Sequence, residues 1–142
     1  MKIAIYSQHA GKHTNSILTK LFSFEKKYNI CFFLEKEFDK VLNKDSRFKL
    51  EYNIFSSYKD LNDSFDLMIT IGGDGTLLRS ISFIRDLKIP IIGINTGRLG
   101  FLATLNQDLL KSKLEKIIKG EYKVEKRTLL QVTIDDLSLI HI

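Results

Sequence analysis

The sequence predicts an α/β chain: an open, mainly parallel sheet with helices on both faces over residues 1–121. Residues 122–142 are expected to begin a second, β-rich domain. Three observations carry this expectation. Short apolar runs alternate with segments of helical period, the pattern of βαβ units. Two of those runs end on glycine-bearing loops. No repeat, low-complexity tract or Pro/Gly/Ser linker interrupts the alternation.

Lys2–Tyr6 reads as the first strand. Polar and glycine-bearing residues from Ser7 to Thr14 follow, then a helix carrying Ile17, Leu18, Leu21, Phe22 and Phe24. Ile30–Leu34 is a short apolar run and hence a second strand, and Glu35–Leu42 is helical, with Phe38, Val41 and Leu42 on one side. Asn43–Asn62 is the least legible stretch, with a strand expected near Tyr52–Phe55. Asp66–Ile71 is a strand that ends on Gly72-Gly73-Asp74-Gly75-Thr76, after which Leu77, Leu78, Ile81, Ile84 and Leu87 share one helical face. Pro90, the single proline, opens the strand Ile91–Ile94, and a second glycine loop, Asn95–Leu102, follows. Thr104 or Asn106 then caps a helix bearing Leu109, Leu110, Leu114, Ile117 and Ile118, which stops at Gly120. Tyr122–Glu125 and Leu129–Ile134 read as two strands with no helix between them.

Composition narrows the function classes. The 142 residues are 44% hydrophobic, enough for one packed domain or one domain and a fragment of another. The lone Cys31 excludes an internal disulfide, no Cys/His cluster has zinc spacing, and the apolar surroundings of Cys31 predict a buried, inert thiol. The apolar start is too short for a signal peptide, and no run approaches the ~18 apolar residues of a membrane span. Cytoplasmic residence without a membrane partner is therefore expected. The net charge of +5 concentrates between Lys111 and Arg127. A phosphate or nucleic-acid patch is one reading; interleaved Glu115, Glu121 and Glu125 favour a solvated helix face, so no nucleic-acid partner is expected.

The glycine loops carry the chemistry. A strand that feeds a helix through Gly72–Thr76 places free N–H groups and the positive helix end at the carboxyl edge of the sheet, where open α/β sheets bind ligands. Gly72, Gly73 and Gly75 let phosphate or ribose approach the main chain. Asp74 among them would repel a phosphate unless it binds Mg²⁺ or takes a proton from a hydroxyl, so the combination suggests phosphoryl transfer to an alcohol. The alternative is a tight turn in which Asp74 caps its own helix. There is no P-loop, no dinucleotide fingerprint with a third glycine, no Gly-x-Ser-x-Gly elbow and no His-Glu-x-x-His. In the second loop, Phe101 offers a face for a base or belongs to the core, and Asn95 can serve a ribose or an amide. Arg79 meets phosphate or is a solvated helix arginine.

Together, Gly72-Gly73-Asp74-Gly75-Thr76 and Gly93-Ile94-Asn95-Thr96-Gly97-Arg98-Leu99-Gly100-Phe101-Leu102 resemble the bacterial NAD kinases, from Met1 to about Ile134. Phosphofructokinases and lipid kinases carry loops like the first motif; the second is more particular. Glu121–Ile134, with Arg127-Thr128-Leu129-Leu130, is similar to that family's crossover into its second domain. The resemblance implies a Rossmann-like fold and transfer of phosphate from ATP (polyphosphate in some members) to the 2′-hydroxyl of the adenosine ribose of NAD⁺, with Mg²⁺. It also implies that Asp74 accepts the hydroxyl proton or contacts the metal, that Asp74 and Gly75 contact the nucleotide, Arg79 a phosphate and Phe101 the adenine. A homodimer or homotetramer, assembled largely through the second domain, is a further implication.

Two features depart from the family. The Asn-Glu motif and the Thr-Gly-Ser/Thr-x-Ala-Tyr loop are absent, and Asp135–Ile142 does not resemble the family's continuation, so a truncated chain, inactive alone, is expected. A lipid or other small-molecule kinase and a non-catalytic nucleotide-binding module are the alternatives.

Overall fold

The computed structural model describes residues 1–44 and 50–130. Strands β1 (Lys2–Ser7), β2 (Cys31–Glu35), β3 (Asn53–Phe55), β4 (Leu67–Gly72), β5 (Ile91–Asn95) and β6 (Leu105–Asn106) form one sheet in the order 3-2-1-4-5-6. Every pairing is parallel. The helices are α1 (Lys12–Phe22), α2 (Glu25–Tyr28), α3 (Lys36–Leu42), α4 (Asp74–Ile84) and α5 (Leu110–Ile118).

Strand alternation divides the core. Ile3 and Ile5 of β1 and Ile69 and Ile71 of β4 face a large cluster with Ile17, Leu18 and Leu21 of α1, Phe38 and Leu42 of α3, and Leu110, Leu114 and Ile117 of α5. Ala4 and Met68 face the other side, against Phe55 of β3, Ile84 of α4 and the loop residues Leu61, Phe65 and Ile89. Helices thus cover both faces, as βαβ crossovers require. In α5 the i, i+4, i+7 spacing of its buried residues leaves Lys111, Lys113 and Lys116 in solvent, so the basic stretch is a wet helix face there.

The strand order reverses between β1 and β4, which pair from Ile3↔Leu67 to Ser7↔Ile71. Ser7 Oγ donates to the Ile71 carbonyl at 2.7 Å and fastens the two strand ends together at this point. Crevices at such reversals, beyond the carboxyl ends of the strands, are where doubly wound sheets take ligands.

Three expectations are corrected. Cys31 is exposed, because β3 pairs only with Phe33–Glu35 and leaves the start of β2 uncovered, while its neighbours Ile30 and Phe32 turn inward. Leu105–Asn106 forms a sixth strand, and Asn106 also accepts the Asp108 N–H at 2.7 Å to open the turn before α5. Tyr122–Glu125 is exposed irregular chain, since no partner strand lies beside it among the described residues. Of the expected strand Leu129–Ile134, Leu129 and Leu130 are likewise exposed, whereas residues 131–134, and all of Asp135–Ile142, lie outside the described residues.

Candidate nucleotide site at the carboxyl edge of the sheet

Gly72 closes β4 with φ 154°, a conformation that side chains rarely adopt. A β-carbon there would fall 2.4 Å from Thr76 Oγ1, so the glycine lets Thr76 fold back beneath the loop. Gly73 is the N-cap of α4, and no side chain caps that end. The first amides of the helix therefore keep free donors directed at the mouth.

Asp74 does not cap its own helix. Its carboxylate reaches across to the second glycine loop and accepts three consecutive backbone N–H groups: Phe101 on Oδ2 at 2.9 Å, and Leu102 and Ala103 on Oδ1 at 3.0 and 2.8 Å. The amides of Ala103, Leu102 and Phe101, in that order of effect, hold this carboxyl below the usual carboxylate range. An ionised carboxylate has about four acceptor positions, so one remains on Oδ2.

The second loop is built to meet it. Gly93 lies so close beneath Ala103 that a β-carbon would be 2.7 Å from the Ala103 methyl. The buried Asn95 side chain accepts Gly97 N–H at 2.8 Å and donates to the Ala103 carbonyl at 3.1 Å. These bonds set the shape of the loop and leave one donor and one acceptor position of the amide over. Gly72 and Asn95 sit side by side in register, and Thr96 N–H donates to the Gly72 carbonyl at 3.3 Å. Phe101 is 95% exposed and lies outside the core.

Arg79 is exposed one turn further along α4. Its partner is Gln8, which belongs to no motif of the sequence. With the Gln8 nitrogen donating to Thr76 Oγ1 (3.1 Å), its oxygen accepts from Arg79 Nε (3.1 Å) and Nη1 (3.2 Å). The available signal was position alone: Gln8 directly follows β1, at the strand reversal. The structure therefore brings Gly72, Gly73, Asp74, Gly75, Thr76, Asn95 and Phe101 to one mouth, with Arg79 beside it.

The described residues do not fit an all-protein Mg²⁺ site. No group of three or more His, Cys, Asp or Glu side chains is placed to hold a metal among them, and most of the acceptor capacity of Asp74 is engaged.

Residues 13–122 match the family model of the ATP-NAD kinase N-terminal domain. The chain belongs to that family. It is 42% identical over 132 residues to an NAD kinase of Flavobacterium psychrophilum, an alignment covering 93% of this chain and 45% of the relative. An NAD kinase of Christiangramia forsetii is 40% identical, over 92% of this chain and 44% of the relative. The fold is similar to that of yeast NADH kinase complexed with NADH, with a TM-score of 0.73 at 19% identity, covering 99% of this chain and 45% of that one. The chain thus spans about half the length of the curated relatives it matches. No helix among the described residues is long and apolar enough to cross a membrane.

Proposed function

We propose that this chain is the nucleotide-handling half of an NAD kinase, which transfers the terminal phosphoryl group of ATP, or of polyphosphate, to the 2′-hydroxyl of the adenosine ribose of NAD⁺. One observation carries the reading: a carboxylate is fixed by three main-chain donors at the mouth of the sheet, with one acceptor position on Oδ2 left over.

That position receives the 2′-hydroxyl. The hydroxyl oxygen attacks phosphorus, the bond from phosphorus to the bridging oxygen breaks, and its electron pair leaves on ADP. The hydroxyl proton passes to Asp74. Because the amides lower the basicity of Asp74, it chiefly orients the hydroxyl and takes the proton as the new bond forms. Phe101 offers its exposed ring to the adenine. Arg79 and the first amides of α4 take phosphate oxygens, and Gly73 and Gly75 leave open space for their approach. Any Mg²⁺ belongs with the donor phosphates. The same reading includes cytoplasmic residence and a homo-oligomer.

The test is Asp74→Asn in the enzyme formed by joining this chain to the C-terminal half of a relative. Loss of at least about 100-fold in kcat, with NAD⁺ affinity kept within a few-fold, supports the role. Near-normal turnover overturns it.

A further inference from the structure

A second concavity lies at the same edge, beyond the ends of β1 and β2, with a volume of about 320 Å³. Phe38 and Val41 of α3 wall one side and Phe83 of α4 the other, with Tyr6, Gln8 and Glu35 supplying its polar groups. Glu35 is the unusual member. It is a carboxylate only 5% exposed, without a basic partner among the described residues. Its Oε2 accepts the Phe38 N–H at 2.9 Å and so caps α3, while Oε1 accepts no hydrogen bond from any described residue. Oε1 is not sealed off and meets solvent in the concavity, so the hydroxyls of a ligand can take the place of water on it.

The surroundings select the ligand. An acid that ends the strand next to β1 in a doubly wound sheet is placed for the hydroxyls of a ribose, and two vicinal hydroxyls supply the missing donors. The apolar walls suit the faces of a sugar and base. Burial first, and then the charge of Glu35, push the Tyr6 hydroxyl above its ordinary range, so Tyr6 stays a neutral donor. Charge also sets direction. The rim acid Glu37, paired with Lys40 at 3.0 Å, lies on the Glu35 side. Gln8 leads the other way, to Arg79 and to Thr76 in the first turn of α4. A nucleotide seated here has its sugar at the acids and its phosphates toward Arg79 and the Asp74 loop.

We propose that this concavity is the ribose subsite for the phosphoryl donor, with Glu35 accepting the 2′- and 3′-hydroxyls of a nucleoside triphosphate. The proposal rests on the kinase reading above and deepens it, since inorganic polyphosphate has no ribose to place.

The test is calorimetric binding to this chain, wild type and two variants, of ATP, 2′,3′-dideoxy-ATP and NAD⁺. Glu35→Gln keeps an oxygen for the Phe38 N–H and so preserves the cap. Val41→Trp fills the concavity from its wall without touching Glu35. The wild type should bind ATP at least about tenfold tighter than the dideoxy analogue, the worth of even one hydrogen bond to a charged acceptor. Glu35→Gln should erase that ratio, Val41→Trp should weaken both ATP ligands, and neither should change NAD⁺ binding more than twofold. An unchanged ratio in Glu35→Gln overturns the proposal, as does equal binding of the two ATP ligands by the wild type, no ATP binding at all, or a loss of NAD⁺ affinity matching that for ATP. The kinase reading itself stands or falls separately, on Asp74→Asn in the joined enzyme.

Discussion

Gly100 is the seat of Asp74: a β-carbon at position 100 would fall 2.2 Å from Asp74 Oδ1 and 2.5 Å from its Cγ. The residue that allows the carboxylate to lie in the amide cradle stands beside the cradle, in the same loop. Gly100→Ala should therefore expel the carboxylate while leaving the sheet intact. In the joined enzyme kcat should fall by at least about tenfold, and exchange of the amide hydrogens of Phe101, Leu102 and Ala103 should accelerate in this chain. Unchanged exchange at all three would show that the carboxylate keeps its place.

Acid should release the same contact. The folded pKa of Asp74 lies below its ordinary value, so this contribution to stability is fully present above the unfolded pKa and is lost as pH falls through the folded one. Carbon NMR of the Asp74 carboxyl should give a midpoint under 3.8, with the three amide proton shifts moving along the same curve. A midpoint at or above 3.8 would contradict the cradle.

Gly93 and Ala103 form a second tight pair. Gly93→Ala should lower the stability of this chain by about 1–3 kcal/mol through overpacking, measured by urea unfolding. Adding Ala103→Gly should recover only part of it, because the Ala103 Cα would still lie 2.8 Å from the new methyl. Full recovery would mean that the main chain at Ala103 moves freely.

Leu18 is fully buried in the larger core cluster beneath α1. Leu18→Ala should cost about 2–5 kcal/mol in the same unfolding experiment. A cost under 1 kcal/mol would indicate that α1 is not packed as described.

Much of the fold was legible because parallel strands covered on both faces read as apolar runs: β1, β2, β4 and β5 emerge from Lys2–Tyr6, Ile30–Leu34, Asp66–Ile71 and Ile91–Ile94. β6 was not, since two residues give no period to detect. Tyr122–Glu125 shows the converse: a strand-like composition forms a strand only beside a partner. Cys31 looked buried by its neighbours, and only the short reach of β3 exposes it. At the mouth, both glycine loops were legible, yet the partners of Asp74 were not, because main-chain amides leave no mark in a sequence. Asn95 illustrates the same limit: its bonds to the Gly97 and Ala103 backbone, which set the shape of the loop, leave no mark in the sequence.

Cys31 begins β2 opposite Lys2, whereas the glycine loops and Glu35 lie at the other ends of the strands. The length of β2 alone puts roughly 13 Å between that thiol and Glu35. As the only sulfhydryl in the chain, it is a handle for site-selective maleimide labelling. A dye attached there would report nucleotide capture from the far rim without occupying the mouth, and unprotected preparations should be kept reduced to prevent pairing between copies.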